Sequence, residues 1–193
     1  MRAANLGVPG FTTGDLLDRL HRDDRACRAV AEADIIIVII GANDLADAWN
    51  RDGCDSSCYQ PLVDGMGARL ESILQLIRSL RAGRPTTVLV DTYWNVFPDG
   101  DVALAGGGQE QVIWSKYVTH AANLAIARAA DASGDLVVDL VRPLKNGGDD
   151  DPTPLLADDG DHPNAAGVQA IVTANVAAAR AWAWSQSARG LLP

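Results

Sequence analysis

"DIIIVIIGANDL" occupies residues 34–45, and its positions 35–40 carry nothing but β-branched aliphatic side chains. A run with no polar alternation predicts a strand covered on both faces, as the strands of a parallel sheet are. Gly41 lets the backbone turn sharply where the strand ends. The amide of Asn43, two residues on, can then turn N–H donors into a cleft above the sheet. Alone, Gly-x-Asn-Asp is equally a generic turn sequence.

Two similar runs lie downstream, "TTVLVDT" at 86–92 and "DLVVDL" at 135–140. Helical periods separate them. Met66, Leu70, Ile73, Leu74 and Ile77 draw one apolar stripe along a helix predicted over 61–82, and Tyr117, Val118, Ala121, Leu124 and Ala125 do so over 110–131. Val168, Ile171, Val172 and Val176 mark the last helix, with Pro163 expected at its first position. A short helix over 14–22 shares Leu16, Leu17 and Leu20, and "AANLGV" at 3–8 is read as one more strand. Alternating strands and helices predict an α/β fold, a doubly wound parallel sheet with helices on both faces, in a single domain over 1–193. The irregular stretches 45–60, 94–108 and 141–161 follow strand ends, where open sheets of this kind bind ligands.

Composition bounds the function. Of 193 residues 48% are apolar and 21% charged, ordinary for a globular chain. Sixteen basic against twenty-five acidic residues give a net charge of −9, which repels phosphate backbones and excludes nucleic acid as an expected partner. No apolar run approaches the length of a membrane span. Glycine-rich "GVPGFTTGD" and "AGGGQEQ" lack the spacing of either nucleotide-binding loop, and Gly106 to Gly108 reads as a flexible loop before a helix. The acidic run 147–153 lacks the spacing of a calcium loop and reads as a solvated loop.

"ADDGDHPNAAG", residues 157–167, sets carboxylates four, three and one residues before His162. In Asp-x-x-His a tight turn can fold the Asp159 carboxylate onto Nδ1 of His162, leaving Nε2 to accept a hydroxyl proton. Asp161 ranks second as the orienting carboxylate. Acidic residues ahead of a helix also serve as caps.

Taken together, "NLGVPGFTTGDLL" near the start, "VIIGANDL" and "DDGDHPNAAG" resemble, in order and spacing, three of the four signature blocks of the SGNH hydrolases, the GDSL esterase and lipase superfamily. The resemblance runs from residue 5 to about 170. It implies a serine ester hydrolase working through an acyl-enzyme, with neither a metal nor an organic cofactor required. Residue by residue, it makes Gly10 a backbone oxyanion donor, Asn43 a side-chain oxyanion donor, His162 the general base and Asp159 its orienter. The implied substrate is a small-molecule, lipid or glycan ester. Trp49, Tyr59, Tyr93, Trp94 and Phe97 are candidates to line its pocket.

The family's remaining block is a buried strand ending in Gly-Asp-Ser, and this sequence contains no Gly-Asp-Ser. None of Ser56, Ser57, Ser72, Ser79, Ser115, Ser133, Ser185 and Ser187 follows a strand as a nucleophile must. The resemblance therefore implies that the first, central strand is missing and that the chain as given lacks its nucleophile. An upstream start or a truncated gene is the expectation, with the Gly-Asp-Ser strand lying upstream and room there for a signal peptide, which would make the full product a secreted one; localisation is not read from the 193 residues, and a non-catalytic relative that binds an ester or glycan is the alternative. Without that strand the chain is expected to fold weakly by itself. Cys54 and Cys58 in "CDSSCY" either pair in a small disulfide loop or remain free thiols, and Cys27 sits on a helix.

Overall fold

The computed structural model describes residues 3–188 apart from Asp52 and Asp149. Three strands, β1 (Ile35–Val38), β2 (Thr87–Asp91) and β3 (Leu136–Val138), form a parallel sheet in the order β1-β2-β3. Ile37 is in register with Leu89, and Asp91 with Val138. Helices α1 (Thr13–Arg22) and α2 (Asp24–Glu32) precede β1. A 3-10 turn, Ala42–Leu45, and the short α3 (Ala46–Trp49) follow it. Then come α4 (Ser56–Arg81) before β2, α5 (Gly100–Ser133) before β3, α6 (Val141–Lys145) and α7 (Ala165–Ala188).

The stripe on α4 is buried as the spacing predicts: Met66, Leu70, Ile73, Leu74 and Ile77 pack with Val38, Val88 and Val90 of the sheet and Val118, Ala122 and Ile126 of α5. That is one face. On the other, Leu89 and Val138 pack with Leu140 and Leu144 under Ile171, Ala174 and Ala178 of α7. The crossovers β1-α4-β2 and β2-α5-β3 put α4 and α5 together on one face, as connections of one hand require. Met66 also fixes the turn after β1. Gly41 has φ +130, and a Cβ there would stand 2.6 Å from Met66 Sδ.

Several expectations change. β2 is buried along its length, but β1 is covered on one face only: Ile35, Ile37 and Ile39 are 46%, 53% and 43% exposed. The reason is that α7 packs over β2 and β3, while the outer edge of β1 pairs with no strand among the described residues. Residues 3–8, read as a further strand, are not one and do not pair with that edge. On α7 the buried side is Ile171, Ala174, Asn175 and Ala178, while Val168, Val172 and Val176 of the predicted stripe are exposed. A helix apolar on both sides needs cover on both. On α5, Tyr117 and Leu124 likewise point outward. The last helix begins after Asn164, whose side chain accepts from the N–H groups of Ala166 and Gly167; Pro163 precedes this cap in a bridge to Leu156. Gly106 to Gly108 lie within α5, which breaks at Gly108 (φ 66, ψ −170).

Candidate active site

Asn43 lies on the loop that leaves the C-terminal end of β1, Gly10 on the turn before α1, and Asp159 and His162 in the long connection from β3 to α7. After β1, Asn43 donates through Nδ2 to the carbonyl of Phe11 at 3.0 Å, which ties the Gly10 turn (φ +79) to the Asn43 turn. One amide hydrogen of Asn43 is thereby used and a second is left. Asp44 fastens the same junction: its side chain accepts from Thr13 N–H, from the Thr13 hydroxyl and from Arg69 Nη2. Arg69 Nε donates to the Thr13 hydroxyl in turn. A cleft of about 380 Å³ opens there, lined by Thr12, Gly14, Asn43, Asp44, Asp47 and Arg69.

Beyond β3, residues 157–162 close on themselves. The Ala157 N–H donates to the His162 carbonyl at 2.8 Å, and Gly160 N–H to the Ala157 carbonyl at 2.9 Å. Asp159 Oδ1 accepts the N–H groups of Asp161 and His162, both at 3.0 Å, and its Oδ2 stands 2.8 Å from His162 Nδ1. The two backbone donors, followed by the imidazole, hold the Asp159 carboxyl down at about 2. The Asp159 hydrogen bond, helped by the charge of Asp161, raises His162 above the ordinary imidazole value against a smaller opposing effect of burial. Asp161 makes no hydrogen bond to the ring, although its charge acts on it, and is itself raised by burial. With Nδ1 committed to Asp159, Nε2 of the exposed ring is left to take a proton.

Tyr93, just past β2, stands between the two loops. Its hydroxyl accepts the Ala42 N–H at 3.4 Å, and the charges of Asp44, Asp91 and Asp161 all act on it, although burial is the main reason its hydroxyl resists ionisation. Trp94 is a core residue against Leu89 and Leu140 rather than a pocket wall. Trp49, Phe97 and Trp114 form a packed trio in which Trp49 is 37% exposed. Trp114 Nε1 donates to the Cys54 carbonyl, and Cys54 is joined to Cys58 at the head of α4. A hollow of similar volume at the N-terminal edge of the sheet is lined by Arg78, Arg81, Arg84, Asp135 and Trp182, away from this chemistry. Its arginines are engaged: Arg81 with the Ala31 and Pro85 carbonyls, Arg84 with Ala31, Arg78 with Asp135. Among the described residues no group of three or more His, Cys, Asp or Glu is placed to hold a metal ion.

Sequence reading missed Asp91, the charged end of a buried strand. It is 1% exposed; Asn175 donates to its Oδ2 at 2.9 Å, and no donor among the described residues reaches its Oδ1 or the Asn175 Oδ1. Burial raises its pKa from 3.8 to about 6. The folded protein thus holds this proton more tightly than the unfolded chain. Its contribution favours folding below about pH 3.8 and is lost as pH rises through about 6. The difference corresponds to about 3 kcal/mol at neutral pH. Asp91→Asn keeps the shape and removes the buried charge. Urea titrations at pH 4 to 8 are expected to show the variant more stable at pH 7, with a flatter dependence between pH 4 and 6; equal stabilities at pH 7 would contradict the burial account.

Residues 1–170 match the family described as GDSL-like lipase/acylhydrolase. Among solved structures, the chain is similar to a GDSL-like lipase from Parabacteroides merdae (16% identity, TM-score 0.63, 88% of this chain and 69% of that one). It is also similar to the lipase Lip_vut3 from a goat rumen metagenome (18%, TM-score 0.69, 86% and 73%). A catalytic mutant of Axe2, an acetylxylan esterase from Geobacillus stearothermophilus, aligns over 90% of this chain and 69% of its own at 21% identity, TM-score 0.61. At these identities the likeness is one of fold. No curated protein matches the chain in sequence.

Proposed function

Because this chain belongs to the GDSL-like lipase/acylhydrolase family, a family of ester hydrolases, we propose that it carries the base and oxyanion donors of a carboxylic ester hydrolase whose serine lies outside these 193 residues. The observation that carries the reading is the Asp159 Oδ2 to His162 Nδ1 contact at 2.8 Å, which fixes one imidazole tautomer. In the first half-reaction His162 Nε2 takes the serine hydroxyl proton as the serine oxygen bonds to the ester carbonyl carbon. The negative oxygen of that tetrahedral adduct accepts from the free Asn43 amide hydrogen and the Gly10 N–H. The adduct then expels the alcohol, which leaves with the proton from His162. Water, deprotonated by the same ring, releases the acid and frees the serine.

Where the serine enters is supported by the unfinished side of the sheet. The unpaired edge of β1, its exposed Ile35, Ile37 and Ile39, and the second apolar side of α7 call for one more parallel strand and a helix. A parallel strand seated there ends at the same edge as Asn43 and His162, and its crossover needs a dozen or more residues, usually helical. The acetylxylan esterase among the similar structures makes acetylated xylan the first polysaccharide to try, beside short-chain aryl esters.

Fluorophosphonate labelling of the protein isolated from its source cell, followed by peptide mapping, tests this reading. The label is expected on a serine that follows an apolar run absent from residues 1–193. Label on Ser56 or Ser57 overturns the outside nucleophile. A protein that binds acetylated xylan but takes no label and releases no acetate is the non-catalytic relative instead.

A further inference from the structure

The turn that holds Asp159 and His162 is exposed, 52% and 76% at the two side chains, yet it is anchored from beneath by two buried charges. Lys145 Nζ, at the end of α6, stands 2.6 Å from Asp99 Oδ2, and both side chains are 4% exposed. Asp99 sits in the connection after β2 and caps α5, its Oδ1 accepting the Gly100 N–H at 2.8 Å. Its own backbone N–H donates to the carbonyl of Gly160 at 2.7 Å. Gly160 is the pivot of the turn: it has φ +69, and a Cβ there would stand 2.5 Å from Val102 Cβ on the first turn of α5. The turn's own hydrogen bonds, from Ala157 to His162, close it internally. Beside it Pro163 bridges to Leu156 and Asn164 bonds to the Pro154 and Leu156 carbonyls, while Asp99 and Val102 tie the turn to α5.

A buried ion pair repays its desolvation poorly and is weak as a stabilising device. It is well suited to holding two segments in one geometry when each partner comes from a different loop. We propose that Asp99 and Lys145 are positioning residues for the general base, a clamp between the connections after β2 and β3 that sets where the Asp159–His162 pair stands above the sheet. This rests on the reading of His162 as the base. The clamp acts through Gly160 and touches no reacting atom. A ring displaced by about 1 Å costs about 100-fold in rate.

The test reads where the turn stands, so it needs no ester hydrolysis. Proton NMR of the protein with its native N-terminus is compared with that of the double variant Asp99→Asn/Lys145→Met, which removes a neutral pair and so leaves the net charge unchanged. With the fold intact by far-UV circular dichroism, the nuclear Overhauser contacts between Gly160 and the Val102 methyls are expected to be lost, because the turn is no longer held against α5, while the Asp159–His162 hydrogen bond travels with the turn and keeps the His162 pKa raised. The equally neutral removal of the distant Arg78–Asp135 pair by Arg78→Met/Asp135→Asn is expected to leave those contacts in place. If the first double variant does not fold, Lys145→Arg keeps the charge, changes the reach of the clamp and is expected to weaken the same contacts. Unchanged Gly160–Val102 contacts in a folded clamp variant overturn the proposal whether or not the protein is an esterase. An esterase reading that fails while the contacts are lost leaves the clamp standing as a structural fact about the turn. In the serine-complete protein the double variant is expected to lose about 100-fold in kcat with KM little changed.

Discussion

His162→Ala is expected to lower kcat for a short-chain acyl ester by on the order of 10⁴- to 10⁶-fold in the serine-complete protein. No neighbouring group can substitute. Asp159 is held near 2 by two backbone N–H groups and is too weak a base, and Asp161 makes no hydrogen bond to the ring. The same geometry dictates the pH dependence. A protonated imidazole cannot accept the serine proton, and the Asp159 hydrogen bond favours the protonated ring. The acid limb of kcat/KM is therefore expected above the ordinary imidazole value, with activity rising as pH increases through it. Asp159→Asn should shift that limb down toward 6.5 and lower the plateau as well, since the ring loses its fixed tautomer. Stopped-flow or steady-state hydrolysis across pH 5 to 9 reads both effects. Hydrolysis by His162→Ala at close to the parental rate would remove His162 from the mechanism.

Asn43→Ala comes next in size, at about 100- to 1000-fold in kcat. Two losses combine there. In the proposed mechanism the amide hydrogen not used by Phe11 meets the developing oxyanion, and the hydrogen that is used ties the Asn43 turn to the Gly10 turn. Removing the side chain frees both. The loss is expected in kcat rather than KM, because the donors matter most when the oxygen carries full charge. Asn43→Asp separates the two contributions less cleanly but more severely, for it sets a carboxylate where negative charge must develop. A variant whose KM rises while kcat holds would make Asn43 a substrate-binding residue instead.

Much of the fold was legible because its signals are local. Met66 to Ile77 name the buried stripe of α4 by spacing alone, and the run 35–40 announces a strand in a parallel sheet. What covers that strand is not local. Whether Ile35 and Ile37 are buried depends on α7, more than a hundred residues away, and on a neighbouring strand that no described residue supplies. The same ignorance misplaced the buried side of α7, where alanines surround the valines and no polar face breaks the symmetry. Around the base, Asp-x-x-His is readable because its partners lie three residues apart. Asp99 and Lys145 are forty-six residues apart and carry no pattern that joins them. Asp91 did leave a trace, a carboxylate at the end of an apolar run, which is where a buried charge should have been suspected.

The uncovered edge of β1 has a consequence for how the polypeptide behaves in company. Residues 35–40 form a six-residue stretch with strong strand propensity and no charge, proline or glycine, the kind of segment that templates cross-β stacking when left unpaired. Against this stands the net charge of −9, which makes copies repel. That repulsion fades over about 10 Å in 0.1 M salt. Colloidal stability of these 193 residues is thus expected to be an electrostatic matter, greater in dilute buffer and eroded by electrolyte, for as long as the edge of β1 that no described residue pairs is left open.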